Sequence, residues 1–275
     1  MWKYFLTVLL AVLLTGTLSQ AEIKYTRGVS FCDRGNRKLQ LDIFQPEQSS
    51  GKLKPYVLIH GGGWVSGQRW LEHENGRMIA EDGGFAVAMS YRLANGKSHG
   101  IQEQLDDIQC AITWIKENAD RYGLDSTQIT TVGHSAGGHL SLLSAFSFND
   151  PDITHAVSMS GPTDFPSWAK RCDSSLACGL FKTVMKLALP GEEQNPELLE
   201  KYSPISWIAK RTSPMDVQIL HGDHDSLVPL WHSETFCDAS NSQGYECQLT
   251  ISRGADHLLA NRKVRRAFWA NVFND

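Results

Sequence analysis

The segment QITTVGHSAGGHLSLLSAF, Gln128–Phe146, decides the fold of this chain. It begins with a β-branched run, turns at the pentapeptide GHSAG of residues 133–137, and continues as an apolar stretch of helical character. The G-x-S-x-G pattern predicts a strained strand-to-helix turn that lifts a serine hydroxyl above a sheet. Glycine is needed on both sides because a side chain there would clash with the neighbouring strand or helix. Ser135 is therefore the candidate nucleophile.

Short apolar runs alternate with longer helical patterns along the chain, which is typical of a mostly parallel sheet with crossover helices. The eight predicted strands are Lys24–Phe31, Lys38–Phe44, Tyr56–His60, Phe85–Tyr91, Gln128–Gly133, Ala156–Ser160, Val217–His221 and Cys247–Ser252. The first two are close enough in sequence to form a hairpin. The predicted helices are Trp70–Glu81, Gln102–Tyr122, Ala136–Phe146, Leu230–Ser242 and Asn261–Phe273. We expect one α/β domain over residues 22–275.

Residues 163–213 interrupt this alternation between the sixth and seventh predicted strands. About fifty residues stand where a short crossover would suffice, and an insertion of this length is usually a lid or a binding element. Within it, the stretch CGLFKTVMKLALPG has apolar residues at helical spacing. We expect this helix to cover Ser135, with Phe181 and Met185 in contact with substrate. Ordinary packing on the body of the domain is the alternative.

The N-terminal residues predict export. They contain one cation at Lys3, an apolar run from Phe5 to about Leu14, and small residues before a cleavage point after Ala21. Residues 1–21 are therefore expected to be a signal peptide, which predicts a secreted or periplasmic protein. A retained membrane anchor is the alternative, but the apolar run is shorter than the ~20 residues that a spanning helix needs. No stable membrane insertion is expected after cleavage.

Composition and cysteine content agree with an exported globular protein. The 275 residues are 41% hydrophobic and carry a net charge of −4, so no basic surplus favours nucleic acid or anionic lipid as a partner. An oxidising compartment permits disulfides among the six cysteines. Two local pairs are plausible, Cys172 with Cys178 and Cys237 with Cys247. The remaining two cysteines, Cys32 and Cys110, are expected either to form a third bridge or to be buried free thiols. The spacing of the cysteines does not predict a zinc site.

A reactive serine needs a base, and the base needs a group that fixes its tautomer. In the chain order serine, acid, histidine, the stretch HGDHD places Asp223 and Asp225 just past a predicted strand, and GADHLL places His257 past the last strand. Both stretches lie where active sites of open α/β sheets collect. The HGDHD cluster also has residue types that bind metals, but a triad already uses one aspartate, so we expect no metal.

The stretch LIHGGGW, residues 58–64, begins at the end of the predicted strand Tyr56–His60 and continues into a glycine turn. Its consecutive glycines allow backbone N–H groups to point at a developing oxyanion. His60 is expected to brace this turn through hydrogen bonds. Trp64 is expected either to line the substrate pocket or to pack in the core. His134 and His139 flank the nucleophile, and structural roles are expected for both.

Six stretches in this order, HGGGW, SYRLA, DDIQCAITWI, YGLDSTQITTVGHSAGGHL, HGDHDSLVP and GADHLL, span nearly the whole mature chain. They resemble the α/β-hydrolase superfamily, specifically the exported esterase branch that includes hormone-sensitive-lipase-like and bacterial feruloyl-esterase-like enzymes. The resemblance implies that Asp225 is the acid of a triad. It also implies an oxyanion hole formed by the N–H groups of Gly62, Gly63 and Ala136. The cysteine-bearing insertion departs from the pattern of that branch.

The resulting hypothesis is an exported serine esterase that uses Ser135, His257 and Asp225, proceeds through an acyl-enzyme and needs no cofactor. The resemblance implies small-molecule or polysaccharide esters, feruloyl esters among them. A Cys172–Cys178 bridge just before the insertion helix would give a fixed pocket wall, which predicts short acyl chains. One alternative is an amidase such as an aryl-formamidase, because such sites also have HGG followed closely by tryptophan. A second alternative is a non-catalytic binding protein with a hydrolase fold. Such proteins commonly lose a triad member, and none is missing here.

Overall fold

The computed structural model describes residues 22–35, 37–189, 191 and 194–274. The predicted signal peptide, residues 1–21, lies outside the described residues. Among the residues that are described, no helix is both long and apolar enough to cross a membrane.

A single eight-stranded sheet organises the domain, in the order β1-β2-β4-β3-β5-β6-β7-β8. The strands are β1 (Ile23–Asp33), β2 (Lys38–Pro46), β3 (Pro55–Ile59), β4 (Phe85–Met89), β5 (Ile129–His134), β6 (Ile153–Met159), β7 (Asp216–Gly222) and β8 (Glu246–Ser252). The pairs β1–β2 and β2–β4 are antiparallel, and all other pairs are parallel. The predicted mostly parallel α/β-hydrolase sheet is confirmed, and each predicted strand overlaps an observed one.

Helices cover both faces of this sheet. They are α1 (His73–Glu81), α2 (Ile101–Glu117), α3 (Ala119–Tyr122), α4 (Ala136–Ser147), α5 (Phe165–Arg171), α6 (Leu176–Ala188), α7 (Pro196–Lys201), α8 (Trp231–Ser242) and α9 (Arg262–Asn274). The predicted helix over 102–122 divides at Asn118 and ends at Gly123, which is left-handed with φ 65°. The predicted helix over 70–81 starts as a 3₁₀ turn, Arg69–Glu72, before α1.

The alternation of side chains along β3 shows how the core is divided. Every residue of β3 is buried. Val57 and Ile59 join the apolar cluster under α2, α4 and α8, whereas Tyr56 and Leu58 join the cluster under α1 and α9. Because successive side chains of a strand point to opposite faces, the strand must be apolar on both. The two helical layers leave the carboxyl edge of the sheet free for a site.

The insertion lies between β6 and β7, as predicted. It contains α5, α6, α7 and a 3₁₀ helix, Pro204–Lys210. The predicted apolar side of α6 is buried in the main core through Phe181, Val184, Met185 and Ala188. Helix α6 therefore packs on the main core through this apolar side.

Three cysteine pairs lie at disulfide distance. The two predicted local pairs are confirmed, with Cα–Cα distances of 5.2 Å for Cys172–Cys178 and 5.1 Å for Cys237–Cys247. The open question about the remaining two is answered by a Cys32–Cys110 bridge with a Cα–Cα distance of 6.0 Å. This last bridge joins edge strand β1 to α2, and Cys237–Cys247 joins α8 to the opposite edge strand β8.

Candidate active site

Ser135 occupies a strained turn between β5 and α4. Its backbone has φ 58° and ψ −122°, a region that is unfavourable for a residue with a side chain. The Ser135 N–H donates to the carbonyl oxygen of Met159 at 2.7 Å, which anchors the turn. A Cβ at Gly137 would overlap the carbonyl oxygen of Ile59, and a Cβ at Gly133 would overlap Gly137. The glycines of the GHSAG motif are thus required by close backbone approach.

Ser135, His257 and Asp225 form a continuous chain of hydrogen bonds. The Ser135 hydroxyl donates to Nε2 of His257 at 2.8 Å, and Nδ1 of His257 donates to Oδ2 of Asp225 at 2.7 Å. These three residues come from the ends of β5, β8 and β7, which meet at the carboxyl edge of the sheet. His257 is 9% exposed, whereas the Asp225 side chain is fully buried. The bond to Asp225 fixes the tautomer in which Nε2 accepts a proton.

The carboxylate of Asp225 is held by several donors. Its Oδ1 accepts from the N–H groups of Leu227 at 2.9 Å and Val228 at 2.8 Å. Its Oδ2 also lies 3.2 Å from Nε2 of His221. Burial alone would raise the pKa of Asp225, but hydrogen bonds from His221 and His257 outweigh burial and hold that pKa well below its usual range. Asp225 therefore stays ionised beside His257.

His221 supports Asp225, a role that no sequence motif indicated. Its Nε2–H lies 2.9 Å from the carbonyl oxygen of Val228, and its Nδ1 accepts from the Ser233 hydroxyl at 2.6 Å. One sequence signal could have indicated that His221 supports Asp225. A histidine stands at the end of an apolar strand, four residues before the aspartate. Its contacts orient the Asp225 loop.

Asp223 and His224 of the HGDHD stretch have other surroundings. Oδ1 of Asp223 accepts from the N–H of Gly254 at 2.6 Å, so this side chain fastens a neighbouring turn. The His224 side chain is 75% exposed. Within the described part of the chain, no three histidine, cysteine, aspartate or glutamate side chains are arranged to hold a metal ion.

The glycine turn after β3 lines the same pocket as Ser135. Gly62 and Gly63 have φ values of 121° and 59°, which favour glycine. Nδ1 of His60 donates to the carbonyl oxygen of Gly61 at 2.8 Å, which braces the turn as expected. Among the described residues, the N–H groups of Gly62, Gly63 and Ala136 have no hydrogen-bond acceptor. All three residues line one pocket with Ser135.

This pocket has a volume of about 580 Å³. One wall is apolar and comes from the insertion through Trp168, Leu180, Phe181 and Val184. Trp64 also lines the pocket, and its Nε1–H donates to Nδ1 of His139 at 3.1 Å. Phe181 stacks on Trp168 with ring centroids 4.4 Å apart, which stiffens this wall.

The predicted substrate contact of Met185 needs correction. Met185 does not line the pocket, and its side chain is 1% exposed within the main core. The reason is the orientation of α6, because the pocket meets the helix along Leu180, Phe181 and Val184, whereas Met185 and Ala188 do not line it and are buried in the main core. The periodicity identified the apolar side of α6 but could not divide it between pocket and core.

His134 and His139 are structural neighbours of the nucleophile, as expected. Nε2 of His134 donates to the backbone carbonyl of His257 at 2.7 Å, and Nε2 of His139 donates to the carbonyl of Tyr202 at 2.7 Å. Burial, joined for His134 by the charge of His257, lowers the pKa of each to about 4. Both imidazoles are neutral near pH 7, and His134 supports the backbone of His257.

The sheet, the serine turn and the hydrogen-bonded Ser-His-Asp arrangement are those of an α/β hydrolase. More particularly, the chain belongs to the BD-FAE family, whose model matches residues 41–239. The predicted membership of the α/β-hydrolase esterases is thereby confirmed.

Several curated proteins are similar to this chain. Esterase LipQ of Mycobacterium tuberculosis is 30% identical over 224 residues, which cover 76% of this chain and 51% of LipQ. Esterase LipC of the same organism is 25% identical over 212 residues, covering 72% of this chain and 51% of LipC. Isoprenylcysteine alpha-carbonyl methylesterase ICME of Arabidopsis thaliana is 25% identical over 235 residues, covering 79% and 53%. The chain thus spans about half the length of these relatives.

Solved structures agree on the fold. A truncated carbohydrate esterase from gut microbiota superposes with a TM-score of 0.76 at 19% identity, covering 93% of this chain and 96% of that chain. Thermogutta terrifontis esterase 2, phosphonylated by sarin, has a TM-score of 0.74 at 22% identity, covering 93% and 95%. The α/β-hydrolase fold therefore accounts for nearly the whole described domain.

Proposed function

We propose that the protein is a carboxylic ester hydrolase in which Ser135 is the nucleophile, His257 the general base and Asp225 the acid that orients His257. The observation that carries this proposal is the unbroken hydrogen-bond chain from the Ser135 hydroxyl through His257 to Asp225. The esterase names of LipC and LipQ support the same reaction class. The free N–H groups beside Ser135 support acyl transfer in particular, because such donors stabilise a tetrahedral oxyanion.

The proposed reaction has two halves. Ser135 Oγ attacks the ester carbonyl carbon while its proton passes to Nε2 of His257, and the carbonyl oxygen becomes an oxyanion held by Gly62, Gly63 and Ala136. The bond to the alcohol oxygen then breaks, and His257 returns the proton to that oxygen. In the second half, water gives a proton to His257 and adds to the acyl-enzyme. The carboxylic acid leaves as Ser135 recovers its hydroxyl proton from His257.

The proposed substrates are small-molecule or polysaccharide esters with short acyl chains or with feruloyl groups. The apolar wall formed by Trp168, Phe181 and Val184 supports this choice, because it offers an acyl group contact beside Ser135 in a pocket of limited volume. The packing of α6 on the main core supports a fixed wall and hydrolysis without activation at a lipid interface.

We also propose that the protein is secreted or periplasmic. The predicted signal peptide of residues 1–21 and three cysteine pairs at disulfide distance support an oxidising compartment.

Active-site labelling with a fluorophosphonate probe tests the reaction class. We expect stoichiometric labelling of the native protein at Ser135 and no labelling of the Ser135→Ala variant. We also expect the native protein to hydrolyse p-nitrophenyl acetate and the Ser135→Ala variant to have almost no such activity. An ester and its matching anilide, compared in parallel, separate esterase from amidase. A native protein that is folded yet neither labelled nor active would support the binding-protein alternative.

A further inference from the structure

The pocket has a polar end that the proposed chemistry does not use. It is lined by the polar or charged side chains of Glu72, Asn75 and Arg265, whereas the wall from the insertion is apolar. Asn75 connects the other two, since its Nδ2–H donates to Oε2 of Glu72 at 2.6 Å and its Oδ1 accepts from Arg265 at 2.9 Å. The three side chains are thus held in one fixed arrangement by a shared amide.

Burial makes this arrangement unusual. Glu72 is 2% exposed, yet it lies at the surface of the pocket and has no cation in direct contact among the described residues. Burial raises the pKa of Glu72 to about 7, even though the bond from Asn75 and the charge of Arg265 oppose this rise. A buried carboxyl group is costly to fold, so its presence at a pocket wall indicates a use for it there.

The charges of this end select a kind of ligand group. Glu72 supplies an acceptor and Arg265 supplies donors, so a group that both donates and accepts fits between them. In its ionised form Glu72 would repel a substrate carboxylate, and Arg265 would repel a substrate ammonium. Glu74 also contacts Arg265 at 3.2 Å, which partly neutralises the cation. A neutral hydroxyl satisfies both partners.

We propose that Glu72, Asn75 and Arg265 form a hydroxyl-recognition subsite, and that preferred esters carry a free hydroxyl at a distance from the scissile bond. This inference rests on the proposed ester hydrolysis and narrows its substrate class. The hydroxyl belongs either to the acyl part, as in a hydroxyaryl acid, or to the alcohol part, as in a sugar. Both sources present the same group to the subsite.

Two substrate pairs distinguish these sources. Methyl p-coumarate and methyl cinnamate differ by a hydroxyl on the acyl part, and cyclohexanediol monoacetate and cyclohexyl acetate differ by one on the alcohol part. We expect kcat/KM of the wild-type protein to favour the hydroxylated member of one pair by at least about tenfold, the size of a hydrogen bond to a charged group.

Variants connect that preference to the subsite. In Glu72→Met and Arg265→Met we expect the ratio within the favoured pair to fall by about tenfold, whereas Glu72→Gln, which keeps a polar side chain, retains part of it. Arg266→Met is the matched control, because it removes the same charge from the same helix outside the pocket. It should leave the ratio unchanged. If Glu72→Met does not fold, Glu72→Gln and Arg265→Met still give the comparison.

The two proposals fail in different ways. Absence of p-nitrophenyl acetate hydrolysis by folded wild-type protein would overturn the ester hydrolase, and Kd values of both pairs for Ser135→Ala protein would then report on the subsite without turnover. Equal kcat/KM and equal Kd within both pairs, or a preference that Glu72→Met and Arg265→Met leave intact, would overturn the subsite.

Discussion

At the scale of single residues, the two aspartates of the HGDHD stretch have different tasks. Asp225 bonds to His257, whereas Asp223 fastens the turn at Gly254. We expect Asp225→Asn to lower kcat by about 10⁴, because the amide favours the wrong tautomer of His257, as in serine proteases. Asp223→Asn is the matched control and should lower kcat far less. Rates on p-nitrophenyl acetate, with circular dichroism to check folding, measure both, and a larger loss in Asp223→Asn would refute the assignment.

The residues of the site divide into those that the sequence predicted and those that it could not. Ser135 and His257 were predictable because each lies in a local motif at a strand end. Gly133 and Gly137 were predictable because a side chain at either position would overlap neighbouring backbone. The pairing of Asn75 with Arg265 was not predictable, because the two lie far apart in sequence and meet only when α1 and α9 cover the same face of the sheet. No local pattern encodes such a contact.

At the scale of elements, α6 offers a direct test of the pocket wall. Phe181 lines the pocket and Met185, one turn further on, faces the core. We expect Phe181→Ala to shift the preference among p-nitrophenyl esters toward longer acyl chains, since it opens space beside Ser135. Met185→Ala should reduce stability by about 2–5 kcal/mol without changing the chain-length profile. Profiles from acetate to decanoate and urea unfolding measure these effects, and identical profiles in wild type and Phe181→Ala would contradict the wall.

Element boundaries show where pattern reasoning ends. The strands were found because β3 and its neighbours are apolar over short runs bounded by turn residues. Helix α2 was predicted to run on to Tyr122, but the chain breaks at Asn118 and resumes as α3. Both segments have helical residues, so only tertiary packing distinguishes one helix from two. The insertion helices α5 and α7 are too short for a periodic pattern to indicate them.

At the scale of the whole molecule, buried histidines predict loss of stability in acid. Burial lowers the pKa of His60, His134 and His139 from 6.5 to about 4, and that of His232 lies well below 6.5. Between these values the unfolded chain binds protons that the folded chain does not, so stability falls as the pH drops below about 6.5. Glu72 acts oppositely through one proton, because its raised pKa favours the folded state as the pH falls from about 7 toward 4.5.

The expected slope is therefore set mainly by the histidines. Each additional proton bound by the unfolded chain lowers the free energy of unfolding by about 1.4 kcal/mol per pH unit. Urea unfolding at pH 7, 6 and 5 measures this slope. A free energy of unfolding that stays constant or rises toward pH 5 would show that these histidines do not remain neutral in the folded protein.

The Cys32–Cys110 and Cys237–Cys247 bridges bind the two edge strands, β1 and β8, to helices that contact them. An edge strand that peels away exposes unpaired backbone, and that backbone can template the sheet of a second molecule or exchange with it. With both bridges closed, each edge strand is covalently tied to a helix of its own domain. The oxidised chain is therefore expected to resist domain swapping. In a chain made in a reducing cytoplasm, neither edge strand would be tied to a helix, and both could pair with a second molecule.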